Sequence, residues 1–400
     1  MVGTIPEFPT ARSRECPFAP PAELLAHQPV GRARLWDGST PWLVTSHALQ
    51  RLILTDPRVS SDEKQPGFPH PSRSMAETVD HRPLTIFNAD GDQHARIRRL
   101  MTSAFTRNRM EKLRPAIQRI TDELIDGMLA GPKPADLVTA LSLPLPSLMI
   151  CELLGVPYED HEFFQEHATI ATKREATPEE SVASMQSLGG YLTKLIEGKM
   201  AEPSGDVLSD FAVRVNAGEI TLPDATLLCM VLLIAGHETS ANMITLGTAL
   251  LLENPDQLAL LRDTSDPELI ANAVEELLRY PTIAHLGQRR IAGQDIEIAG
   301  QTILAGDGIV VPLSAGNWDA AAFPEPERLD LTRAQARQHH AFGWGVHQCL
   351  GQQLARIELQ VVYGTLYRRV PTLRLAVDRD ELEFKGDSLA YGVYSLPVTW

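Results

Sequence analysis

The chain has 400 residues, 44% of them apolar and 22% charged, which gives enough length and apolar content for a large packed core. A formal net charge of −15 argues against non-specific nucleic-acid binding. The four cysteines, Cys16, Cys151, Cys229 and Cys349, are far apart, with neither disulfide-framework nor metal-cluster spacing, which fits a reducing cytoplasm.

No Ser/Gly-rich linker, low-complexity tract or repeat divides residues 1–400, so one large domain is expected. Met1 to Pro20 is rich in proline and charge and lacks the apolar core of a signal peptide, so a cytoplasmic protein that does not enter a membrane is expected. In chain order, Ala33–Trp36 and Trp42–Thr45 flank Asp37-Gly38 and predict a hairpin. Residues 60 to 90 read as a long proline-containing loop with short ordered pieces. From Gln93 to about Gly131 the pattern is helical, with Pro115 expected to break or restart it. Helices continue through Leu153, over about Glu159–Thr172, and over Pro178–Ala201.

Thr221-Leu-Pro-Asp224 is a helix start, with a threonine cap, an acid three residues on and proline in the first turn. The helix it opens should run to about Glu253, roughly 48 Å at 1.5 Å per residue. It is apolar almost all round and should lie at the centre of the fold. Asn254-Pro255 and Ser265-Asp-Pro267 start two further helices. Short alternating runs from Gln288 to Val311, and again after Leu373, predict small sheets. The expected class is mainly α with a minor β portion.

The stretch from His340 to Ala355 gathers three glycines and Phe342 around Cys349, just before an apolar helical run carrying Leu350, Leu354, Ile357, Val361 and Leu366. A cysteine near a helix N-terminus is favoured as thiolate, and a thiolate beside a shaped cavity suits an axial haem ligand. The blander alternative is one more small buried hydrophobe. Inside the apolar central helix sits Ala235-Gly236-His237-Glu238-Thr239-Ser240. A buried acid needs partners, and Thr239 is placed to bond back to the carbonyl of Ala235 and open the helix locally. Glu276-Leu-Leu-Arg279 puts an acid and a base on one helix face. Between Arg96 and Arg114 lie seven cations and one acid, Glu111, in an otherwise acidic chain. That run is either a solvated face or a docking patch for an acidic partner.

These motifs resemble the cytochromes P-450, from about residue 10 to 400, with five motifs in the expected order. Phe342, Gly345, Cys349 and Gly351 fill every fixed position of the haem loop, Phe-x-x-Gly-x-x-x-Cys-x-Gly. Ala235, Gly236, Glu238 and Thr239 match the oxygen-activation groove, with glutamate where many members have aspartate. The wording between motifs looks most like the soluble actinobacterial subgroup, whose electrons come through a ferredoxin.

The resemblance implies a single helical fold with a long central helix over haem b, ligated by Cys349. It implies a monooxygenase acting with O2 on a lipophilic small molecule, of polyketide, macrolide, sterol-like or xenobiotic type. Electrons would come from NAD(P)H through ferredoxin reductase and ferredoxin, the latter docked on the basic run through Arg107, Arg109, Lys112 and Arg114. Glu238 would relay protons and Thr239 serve oxygen activation. His94, Arg98, Arg290 and His347 would hold the haem propionates, with Phe342, Gly343, Gly351 and Ala355 lining the haem. Glu276, Arg279 and a third partner, Arg328, would form a scaffold for the cysteine loop. Substrate contacts would come from the loop before His94, the segment near 165–195, the central helix at Ile234 to Thr239, the turn Thr282–Leu286 and the final hairpin near Tyr394. Phe87, Leu233, Ala235, Ile283 and Val393 are candidates, each equally suited to plain core. Alternatives are a nitric-oxide-reductase-like relative and a non-enzymatic haem or gas-sensing protein. Glu238-Thr239 argues against the first, and a proton-relay pair is superfluous to the second.

Overall fold

A computed structural model describes residues 5–160, 162–164, 166–167, 177–386 and 388–400. The helix expected over Glu159–Thr172 lies largely outside them. The central helix, Leu222–Leu252, is 31 residues long and begins with the expected Thr221–Asp224 capping box. It is long and apolar enough to cross a membrane, yet 67% of its most apolar stretch is buried in the protein. Its apolar surface is therefore spent on core packing.

Around it pack helices Pro144–Leu154, Pro178–Ala201, Val207–Asn216, Pro267–Arg279 and Gln352–Arg369, and Arg107–Ala130 packs in turn on the first and last of these. Their buried side chains form one continuous core. Val207–Asn216 was not anticipated. Pro115 does not break its helix, which runs through it. The interruption comes earlier, at Ser103–Phe105, where a tighter turn hands over to Thr106, whose side chain caps the next helix.

The β portion is as small as expected. Val30–Arg32, Trp42–Val44, Gly308–Val311, Gln288–Ala292 and Val59–Ser60 form one sheet in that order. Only Trp42–Val44 and Gly308–Val311 pair in parallel. The first hairpin is present, but its leading strand lies earlier than expected: Val30 pairs with Val44 and Arg32 with Trp42. Residues 33–36 instead climb to the turn, where Gly38 adopts φ 82°. Ala135–Asp136, Pro397–Thr399 and Arg374–Leu375 form a second sheet, which ties the C-terminus to the helical core.

A candidate haem-thiolate site between two parallel helices

The central helix and Gln352–Arg369 lie side by side and point the same way. Their contacts climb in step: Ser240 bonds Glu358, the Tyr363 hydroxyl donates to the Met243 carbonyl (2.6 Å), and Tyr367 bonds Thr248 (3.1 Å). Gly247 makes room for Tyr363, since a Cβ there would sit 2.1 Å from its hydroxyl. Followed backwards at the same offset, Ala235 comes level with the first turn of the second helix, which opens just after the Cys349 loop. At that point both chains become accessible: Ile234, Ala235 and Thr239 are exposed in the middle of a buried helix, and so is Cys349. Exposure at mid-helix, on a stripe one turn apart, marks the wall of a recess.

Cys349 lies three residues before the first helical residue, and Gly351 is the N-cap. Its amide donates to the Phe342 carbonyl (2.8 Å), closing the loop on itself. Gly343 and Gly345 take φ near 71° and 76°, and a Cβ at Gly345 would strike the Leu54 carbonyl at 2.3 Å. Loss of hydration pushes the Cys349 thiol upward, opposed by the Gly351 and Gln352 amides and by Arg356 and Arg98. Those opposing groups favour the thiolate that a bound metal cation would generate outright. Ala355 lies one turn into the helix, its amide bonded to Gly351.

The scaffold behind this loop is built as expected in two members and corrected in the third. Arg279 grips Glu276 in a bidentate pair (2.7 and 2.8 Å), with both side chains fully buried. Arg279 also donates to the Asn317 carbonyl (2.8 Å), while the Asn317 side chain accepts from the His340 amide (2.6 Å), where the loop begins. The third partner is Arg333, 3.1 Å from Glu276. Arg328 instead points outward to Glu325 at 3.8 Å. The reason is the turn at Glu325, whose φ is 49°: it directs Arg328 to solvent, and buried Leu331 then carries Arg333 inward. A second buried cluster was missed. Glu275 bonds both His339 (3.0 Å) and Arg356 (2.7 Å), and Arg356 lies over the Phe342 ring at 4.6 Å. The sequence signal was an acid beside Glu276 on the buried face of its helix.

The four expected propionate partners converge. His94 and His347 lie ring to ring at 4.1 Å. The charges of Arg98 and Arg290 are both felt at His94, which burial, then His347 and Arg98, pull down to about 4. Arg290 is buried and drawn down to about 10. Against these stands one carboxylate, Asp90. Burial works to raise it, but bonds from His347 and Ser60 hold it well below the usual range. His347 is otherwise committed, to Ser61 (3.0 Å) and the Ile86 carbonyl (3.2 Å). The Nε2 of His94 is buried with no partner. A cationic cradle with an orphaned imidazole nitrogen fits the two carboxylates of a haem.

On the opposite wall, Thr239 donates to the Ala235 carbonyl at 2.7 Å, as expected, but the helix remains continuous through it. A Cβ at Gly236 would press on Ile150 at 3.1 Å. Of the substrate candidates, Phe87 is exposed and Ile283 partly so. Leu233 and Val393 are each 1% exposed and belong to the core. Ile234, at 43% exposed, is the accessible neighbour, within the Ile234–Thr239 stretch expected to contact substrate. Thr282 holds φ 28°, strained for a β-branched residue, through bonds with Arg279, Asn317 and Arg12. The segment near 165–195 lies partly outside the described residues.

The basic run is thinner than its composition. Arg109 is tied to Asp210 (2.5 Å), Arg114 to Glu111 and Gln360, and Arg96 to the Glu219 carbonyl. Arg96, Arg99, Arg107 and Lys112 are the exposed members, Arg96 being held by that carbonyl. The run starts beside the cysteine loop, with Phe105 3.9 Å from a Cβ placed on Gly351.

Glu358 is fully buried between the two parallel helices. Burial pushes it up to about 7 despite its bond to Ser240, and its Oε2 has no partner. A carboxyl raised in the folded state costs nothing below its unfolded pKa, and destabilises progressively as pH climbs from about 4.5 to about 7. Glu358→Gln should therefore match the parent at pH 4.5 and exceed it by roughly 3 kcal/mol at pH 8, read by denaturant unfolding. Equal stability at pH 8 would show that Glu358 is ionised without penalty.

The cytochrome P-450 family profile matches residues 190–370. The chain is 56% identical to the cytochrome P-450 CYP105Q4 of Mycobacterium marinum, over 99% of this chain and 96% of that protein. It is 43% identical to the 20-oxo-5-O-mycaminosyltylactone 23-monooxygenase of Streptomyces fradiae, over 98% of this chain and 92% of that one. The crystal structure of GfsF superimposes with a TM-score of 0.95 at 56% identity, covering 99% of this chain and all of GfsF. GfsF is also matched in sequence as a cytochrome P-450 of Streptomyces halstedii. With sequence and structural likeness spanning nearly its whole length, the chain belongs to the cytochrome P-450 family and is an oxidoreductase of its monooxygenase class.

Proposed function

We propose that this cytoplasmic enzyme, a single haem domain, inserts one atom of O2 into a C–H or C=C bond of a lipophilic small molecule of macrolide or related polyketide type. The second oxygen atom leaves as water, with two protons and two electrons consumed. NAD(P)H supplies the electrons through ferredoxin reductase and ferredoxin. The observation that carries this reading is the exposure of Ala235 and Thr239 in the middle of the buried central helix, with Glu238 beside Thr239 and an exposed Cys349 in the glycine loop that leads into the parallel helix. The named macrolide-type substrate of the Streptomyces fradiae relative supports the substrate class.

His94, Arg98, Arg290 and His347 hold the haem carboxylates, and Cys349 ligates the iron. Haem held there would supply dioxygen activation, with the Cys349 thiolate as its electron-donating ligand. The protein's own part is to admit protons while excluding bulk water. Glu238 takes protons from the solvent side and passes them to water in the recess. The Thr239 hydroxyl, whose hydrogen is engaged with Ala235, presents its oxygen as an acceptor that orders that water.

Reconstitution with a ferredoxin, its reductase and a panel of macrolide lactones tests the reading. Product should form in proportion to NAD(P)H, more slowly as salt rises, since Arg99, Arg107 and Lys112 steer an acidic partner. Thr239→Ala should bind lactone within about twofold of the parent but lose product per NAD(P)H by about tenfold. Full coupling in that variant would remove Thr239 from the chemistry.

A further inference from the structure

Glu238 is not alone in the central helix. The ammonium of Lys385 lies 3.3 Å from its Oε1 and 3.0 Å from the Asn242 side-chain oxygen, one turn further on. Lys385 is 9% exposed, which is rare for a lysine without a fixed task. It belongs to a C-terminal hairpin closed by three backbone links: Lys385 to the Gly392 carbonyl, Tyr394 to Glu383, and the bridge between Phe384 and Val393.

The same hairpin is fastened to the helix by Asn242, which bonds the Ala390 carbonyl at 3.4 Å. Gly392 lies so close that a Cβ would sit 2.3 Å from the Asn242 oxygen. At its tip the hairpin holds the turn after Arg279: Tyr391 donates to the Ile283 carbonyl (2.8 Å), and His285 bonds the Ser388 carbonyl (2.6 Å). Leu389, at the same tip, is 67% exposed. One short hairpin therefore touches both a candidate substrate-contact turn and the acid of the oxygen-activation motif. The charge of Lys385 also reaches buried His237, which burial and that charge pull down to about 4.

We propose that Lys385 is a positioning residue for Glu238, tying the acid to the C-terminal hairpin so that the placement of the hairpin around substrate governs proton delivery to the recess. This rests on the reading of Glu238 as a proton relay. The contact engages one oxygen of the carboxylate and fixes where the other can reach. The acid accepts a proton from solvent and passes it to a recess water only as the pair loosens, and the hairpin sets how firmly the pair is held. Substrate that shifts the hairpin thus releases the acid once the site is filled, which protects against spending electrons in an empty site.

The test uses the haem-loaded enzyme and two readouts. Trace acetic anhydride should label Lys385 at least about tenfold more slowly than exposed Lys112, because the buried ammonium is engaged. Labelling should accelerate in Glu238→Gln and in Asn242→Ala, which frees the hairpin. In turnover, Lys385→Met should keep haem content and lower product per NAD(P)H about tenfold, with a larger solvent deuterium isotope effect on NAD(P)H consumption. Lys385→Arg, which retains the charge, should recover most of the yield. Labelling of Lys385 at the rate of Lys112, or full yield in Lys385→Met, overturns the proposal. If Glu238→Gln uncouples turnover while Lys385→Met does not, only the role of Lys385 fails. If Glu238→Gln is itself fully coupled, the relay reading fails.

Discussion

Cys349→Ser should give a protein that folds but shows no red-shifted Soret band when reduced under carbon monoxide, and forms product at least about a hundredfold more slowly. The loop itself is held by contacts that do not involve the thiol: the Cys349 amide on Phe342, the His340 amide on Asn317, and Gly345 against Leu54. The exchange of sulfur for oxygen leaves these in place, so the loss is electronic. The cradle of His94, Arg98 and Arg290 is likewise untouched, and some haem should still bind. Cys16 is exposed near the N-terminus, and Cys151 and Cys229 are buried, so Cys349 is the exposed cysteine of the glycine-rich loop. A red-shifted band in Cys349→Ser would place the ligand elsewhere.

The second large effect separates two arginines five residues apart. Arg333→Ala should cost about 3–5 kcal/mol in denaturant unfolding and release haem, because it leaves a fully buried carboxylate short of a charge partner. Glu276 would keep Arg279 and the Asp330 amide (3.1 Å), but Arg333 also pins the Pro324, Glu325 and Arg328 carbonyls that shape the approach to the loop. Arg328→Ala should stay within about 0.5 kcal/mol of the parent, since its pair with Glu325 is solvent-exposed and long. Equal losses in the two variants would mean that the stretch is stabilised as a whole and not through Glu276.

The contrast between these arginines shows what the sequence could and could not carry. Cys349, Glu276 and Arg279 were legible because their chemistry requires fixed local spacing. The long helix from Thr221 was legible because its capping box and apolar run extend over many residues. Arg328 and Arg333 were not separable: both follow the same proline-rich approach, and the choice depends on the backbone turn at Glu325, which no side-chain pattern announces. Pro115 was expected to break or restart its helix. Tertiary packing of Ile117, Ile120 and Ile125 against the core outweighs the one lost backbone bond. Lys385 was invisible for a different reason. It meets Glu238 across 147 residues, and nothing local marks a lysine in a loop as buried.

The C-terminal hairpin also fixes how far this enzyme can be re-aimed by directed evolution. Gly392 admits no larger residue without displacing Asn242, and Asn242 in turn shares the ammonium of Lys385. A library that randomises the whole hairpin will mostly return variants that squander cofactor. One that spares Lys385, Gly392 and Asn242 and varies Leu389 with Ile234 can change what fits while leaving the acid under restraint. The tolerance of this protein to new substrates is thus set less by the size of its cavity than by three residues that must stay as they are.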